Sequence, residues 1–103
     1  MIVLNLILTT IMQEKKRIEY MIEKYTDEYS CLPKGSIYEK RVGEKVYYYL
    51  KYRDGKKVIS QYISKDCIEE VGSKVQKRKH VEAMIKSLKK ELDIANRILE
   101  AEL

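Results

Sequence analysis

Residues 45–63 read KVYYYLKYRDGKKVISQYI, and the fold is decided by how this run turns back on itself. Two stretches rich in β-branched and aromatic residues flank Asp54-Gly55. That pair favours a tight hairpin, because a type I′ turn needs positive φ at both central positions. A turn centred there sets Arg53 opposite Lys56, Lys51 opposite Val58, Tyr49 opposite Ser60 and Tyr47 opposite Tyr62. Side chains alternate between the two faces of a sheet. Val46, Tyr48, Leu50, Tyr52, Ile59 and Ile63 therefore share a face whose composition marks it as the core side. Tyr47, Tyr49, Lys51, Arg53, Lys56, Val58, Ser60 and Tyr62 share the other.

The preceding run, Ser36 to Val42, extends the pattern. Gly43-Glu44 serves as a second two-residue turn, placing Lys40 against Tyr47, Tyr38 against Tyr49 and Ile37 beside Leu50 on the core face. The expectation is a three-stranded antiparallel sheet over 36–63. One side of it carries Tyr38, Tyr47, Tyr49 and Tyr62 together with Lys40, Lys51, Arg53 and Lys56.

The chain on either side of the sheet has helical spacing. Leu4, Leu8, Ile11, Lys15, Ile18, Ile22, Tyr25 and Tyr29 recur at alternating three- and four-residue steps, as do Val81, Ile85, Leu88, Leu92, Ala95 and Leu99. Such stripes favour pairing of two helices at a shallow angle. Ser64 is placed to cap a short helix over 64–71 that Gly72 ends, and Ser73 with Gln76 has capping-box spacing for a long helix over 73–103. Cys31-Leu32-Pro33-Lys34-Gly35 ends the first helix, over 1–30, and leads into the first strand. The fold class expected is α+β in a single domain of 103 residues: an antiparallel helical hairpin with the sheet and the short helix inserted between its arms.

The apolar start, MIVLNLIL, lacks a basic region before it and a small-residue cleavage site after it, and it is too short to span a bilayer. It reads as a buried helix end or strand, with no membrane role. Cys31 and Cys67 belong to no CxxC or Cys/His set and read as reduced thiols of a cytoplasmic protein.

Charge is segregated along the chain. Residues 34–80 hold thirteen cations against six acids, whereas residues 1–33 and 81–103 each carry one more acid than cations. A central segment this basic points to an anionic partner. Lys74, Lys77, Arg78 and Lys79 add to it, occupying the first two turns of a helix that starts at Ser73. Local stability favours acids there, so the cations suggest a binding role.

Catalytic chemistry finds no support in the sequence. His80 is the only histidine, which rules out a His-based metal site or triad within one chain. No serine lies in a GxSxG elbow and no glycine-rich phosphate loop is present. The expectation is a protein that is not an enzyme and uses no metal or cofactor.

The string LPKGSIYEKRVGEKVYYYLKYRDGKKVISQYISKD, residues 32–66, resembles a signature of small uncharacterised proteins of prokaryotic viruses, plasmids and their hosts. The sheet pattern with the segment after it, to residue 71, is similar in plan to the arm-type N-terminal domain of tyrosine-recombinase integrases. That resemblance implies a three-stranded sheet followed by a helix, with the sheet laid into the DNA major groove. It implies DNA contacts from Tyr38, Lys40, Tyr47, Tyr49, Lys51, Arg53 and Tyr62. The chain departs from the integrases in holding no recombinase domain and in framing the sheet with two long helices.

The function expected is a non-catalytic, DNA-binding accessory protein of a mobile element. The alternative is a protein-binding inhibitor or adaptor, such as an anti-CRISPR-type antagonist of a host nucleic-acid enzyme. Met84, Ile94 and Ile98 form a second apolar set beside the seam of the last helix, from which a homodimer centred on the C-terminal helices is expected.

Overall fold

The computed structural model describes the backbone of residues 2–102 and the side chains of residues 6–101. It contains α1 (Ile2–Cys31), β1 (Ser36–Val42), β2 (Lys45–Asp54), β3 (Lys57–Ile63) and α2 (Ile68–Glu102). The fold is α+β, with two helices flanking an antiparallel sheet of strand order β1-β2-β3. The residues cluster into two compact units. One combines α1 up to Tyr29 with α2 from Val81 onward, and the other is Ser30–His80.

In the helical unit, the residues turned inward are those that the 3-4 spacing picks out. Ile18, Val81 and Ala95 are buried. Leu8, Ile11, Lys15, Ile22, Tyr25 and Tyr29 are half-buried on α1, as are Ile85, Leu88, Leu92 and Leu99 on α2. The Leu4 side chain lies outside the described residues. The expectation of a buried N-terminal segment is corrected at Leu6 and Ile7, which are exposed because they fall off the inward stripe. No helix among the described residues is long and apolar enough to cross a membrane.

In the sheet unit, the β1–β2 register is the expected one, with Lys40 opposite Tyr47, Tyr38 opposite Tyr49 and Ile37 opposite Leu50. The β2–β3 register differs. Asp54 remains in β2 and pairs with Lys57, so the turn is centred on Gly55 and Lys56. Tyr49 now faces Tyr62, Lys51 faces Ser60 and Arg53 faces Val58. The cause is backbone chemistry. Gly55 has φ +63°, and among the described residues none other than glycine has positive φ. A turn with glycine first, the type II′ pattern, spares Asp54 the left-handed conformation that type I′ would impose on it. The partner of each β2 residue moves by two positions, so every side chain keeps its face.

The core of this unit is Leu50, Ile63 and Val75, with Ile37, Tyr48, Tyr52, Ile68 and Val71 packed around it. The separate helix expected over 64–71 does not exist. Its last turn runs through Gly72 into one continuous α2. Ile68, Val71 and Val75 lie on one stripe against the sheet, and burying Val75 exceeds the roughly 1 kcal/mol that an interior glycine costs a helix. Cys67 N–H donates to the Ser64 carbonyl, and the Cys67 carbonyl accepts from Val71, which closes the first turn of α2. Cys67 itself is exposed.

Gly35, at φ +108°, makes the turn from Pro33 into β1. A Cβ there would overlap the Lys51 carbonyl oxygen and meet Tyr52 Cβ at 2.9 Å. Only glycine lets this segment lie so close on β2.

Candidate nucleic-acid interface

Alternation along β2 and its two register partners brings Tyr38, Tyr47, Tyr49 and Tyr62 onto one face. Their rings form a single connected cluster. Tyr38 and Tyr49 stack at 5.3 Å with planes 19° apart. Tyr49 meets Tyr62 edge-on at 5.8 Å, and Tyr62 meets Tyr47 at 6.4 Å with a 55° tilt. Each ring covers part of the next, which accounts for a row of aromatics being stable on a face without an aliphatic core. The Tyr38 and Ser60 hydroxyls share a hydrogen bond at 2.7 Å across the width of the sheet. Sequence reasoning placed Ser60 on this face without giving it a role. In the observed register Ser60 pairs with Lys51, two residues along β2 from Tyr49, the partner of Tyr38.

The cations sit around the rings. Lys51 Nζ lies 5.4 Å from the centre of the Tyr38 ring, within cation–π range. Lys40 and Arg53 are exposed at register positions on the same face. Lys56 is in the hairpin turn, at one end of the face and no longer opposite Arg53. Eight of the expected site residues are thus together: Tyr38, Lys40, Tyr47, Tyr49, Lys51, Arg53, Lys56 and Tyr62.

The basic segment of α2 is not with them. α2 packs on the opposite face, against Leu50 and Ile63. It starts at Ile68 with Glu69 and Glu70 in its first turn, the charge that a helix N-terminus favours, so the argument from cations at a helix start no longer applies. Arg78 Nη1 donates a 2.6 Å hydrogen bond to the Leu32 carbonyl. It satisfies an acceptor just past the end of α1, a structural task that the sequence concealed. Lys74 Nζ pairs with Glu70 at 3.0 Å, and Lys79 is exposed. Lys34 is held over the Tyr52 ring at 5.9 Å on the core side of the sheet.

Beneath the end of β3 a groove of ≈660 Å³ is lined by Pro33, Gln61, Ile63, Val71 and the two free cysteines, Cys31 and Cys67. Among the described residues no group of three or more His, Cys, Asp or Glu side chains is arranged to hold a metal.

These features define a small α+β protein with an aromatic, cation-rimmed sheet face. Residues 7–73, more than half of the chain, match the model of a domain of unknown function, and the chain belongs to that family, DUF6788. The match takes in the whole tyrosine face and stops short of Lys74. No curated protein and no solved structure matches the chain.

Proposed function

We propose that this protein is a non-catalytic, DNA-binding accessory protein of a mobile element, acting in the cytoplasm, with the tyrosine face of the sheet as its interface. One observation carries the reading: four tyrosine rings and the cations Lys40, Lys51 and Arg53 share a face that the chain's own helix leaves open, in a segment of thirteen cations against six acids. Cations take phosphate oxygens, and tyrosine hydroxyls donate to them. Because the rings are already packed on one another, they form a firm platform suited to the surface of a duplex more than to slotting between bases.

Fluorescence anisotropy with random-sequence duplex tests this. Binding is expected at about 50 mM salt, with log K falling against log salt at a slope near −4 to −5, the value for roughly four to six phosphates. Lys51→Glu with Arg53→Glu should abolish it while leaving thermal stability nearly unchanged. Absence of binding at that salt removes the proposal.

A specific observation favours the second reading, a protein-binding inhibitor or adaptor. Ile94 and Ile98, one turn apart on α2, are 57% and 39% exposed, and Leu6, Ile7 and Met12 are exposed on α1. Uncovered aliphatic side chains on helices suit a protein partner better than DNA. Loss of partner capture by Ile94→Lys, with duplex binding intact, would assign the helices to that role.

A further inference from the structure

The two edges of the sheet are unlike each other. β1 carries Glu39, Lys40 and Arg41 in succession at its middle, charges that discourage another strand from pairing there. β3 begins with Lys57 and continues as the uncharged run VISQYI. It has β2 on one side and, among the described residues, no strand on the other. Val58 and Tyr62 are 54% and 55% exposed along it, and Ser60 and Gln61 between them are exposed as well. An uncharged edge strand with exposed apolar side chains is a template for strand addition.

The backbone shows which residues would pair. In a hairpin with a two-residue loop, the flanking pair exchanges both hydrogen bonds, and such pairs then alternate along the ladder. Starting from Asp54–Lys57, the bonded pairs are Tyr52–Ile59, Leu50–Gln61 and Tyr48–Ile63. The amides and carbonyls of Val58, Ser60 and Tyr62 therefore point away from β2.

We propose that β3 pairs antiparallel with β3 of a second copy of this chain, about a two-fold axis through Ser60. Val58 then lies opposite the second copy's Tyr62, Ser60 opposite its own counterpart and Ile59 opposite Gln61. All the outward backbone groups find partners, and the two most exposed apolar side chains of the strand cover each other. Lys57 faces Ile63, so no like charges meet directly. The charged β1 edges stop growth at two copies, giving a closed dimer. The axis is perpendicular to the sheet, so both tyrosine faces point the same way, in the order β1-β2-β3-β3-β2-β1. The aromatic platform widens from roughly 10 Å to roughly 24 Å at the usual strand spacing. Its use as a wider duplex surface rests on the function proposed above, whereas the pairing itself does not. The competing arrangement, a dimer centred on the C-terminal helices, would draw on Ile94 and Ile98, which are exposed one turn apart on α2. Because both sheets are basic, added salt should tighten the dimer, the opposite of its effect on duplex binding.

Sedimentation of the full chain without nucleic acid is the test. A dimer at tens of micromolar is expected, weakened at least tenfold by Val58→Lys and by Ser60→Pro, with circular dichroism unchanged. Proline removes an outward N–H that the β2–β3 ladder does not use, so Ser60→Pro remains informative if Val58→Lys fails to fold. Oxidised glutathione should cross-link Ser60→Cys chains in a Cys31→Ser, Cys67→Ser background, since directly opposed residues are about 5.5 Å apart at Cα. A monomeric wild type overturns the proposal. So does a dimer that survives both β3 variants, or one that Ile94→Lys with Ile98→Lys dissolves. None of these outcomes bears on whether the single sheet binds duplex.

Discussion

The two faces of the sheet are built from alternate residues of the same strands, yet they differ in nearly everything else. On one, Leu50 and Ile63 are buried beneath Val75 of α2, and stability follows from aliphatic packing. On the other, Tyr49 and Tyr62 hold each other in place and leave lysine and arginine in solvent. One residue's step along β2, from Leu50 to Lys51, crosses from a position that holds the fold to one available to a partner. A three-stranded sheet can thus separate folding from recognition by parity alone.

The sharpest way to break this comparison is at Leu50. Leu50→Ala should lower stability by about 2–5 kcal/mol in denaturant unfolding, the range for emptying a buried leucine site. If Lys51→Glu costs as much, the distinction between the faces fails. Next in size is Arg78→Met, which keeps the apolar stem and removes the donor to the Leu32 carbonyl. A loss of about 1.5–3 kcal/mol is expected, with duplex binding retained. A binding defect without a stability defect would return Arg78 to the interface.

Gly72→Ala works in the other direction. A Cβ there meets Ile37 Cδ1 at an unstrained 3.6 Å, and Gly72 has no positive φ. Alanine should stabilise the protein by about 0.4–1 kcal/mol, whereas it would destabilise a helix terminator. The smallest effect belongs to Glu14, far in sequence from both faces. A hydrogen bond from Arg17, above all, holds its carboxyl below the usual range, against an opposing effect of desolvation. The pair contributes stability above the ordinary carboxylate pKa and loses it as pH falls through the lowered value. Glu14→Gln should flatten that acid limb slightly and lower neutral stability by the same small amount, because the pair is exposed.

The sheet was legible in the sequence because its signals are local: glycines at both turns and a period of two between them. Even the misplaced turn at Asp54-Gly55 left each strand residue on its proper face, since moving the turn by one residue shifts the register by two. The helical seams were legible for the same reason, through their period. What could not be read depends on distant partners. Gly72 has the local character of a stop, and only burial of Val75 against β2 and β3 shows why the helix continues. Arg78 stands among lysines as if for phosphate, while its acceptor, the Leu32 carbonyl, is 46 residues away.

The nine tyrosines make the central claim directly measurable, since ring-selective NMR labels report on both faces and on α1 at once. On titration with duplex DNA at low salt, the ring signals of Tyr38, Tyr47, Tyr49 and Tyr62 should shift together. Those of Tyr48 and Tyr52 beneath α2, and of Tyr20, Tyr25 and Tyr29 on α1, should stay where they are. Shifts confined to the α1 tyrosines, or no shift at all, would contradict the account.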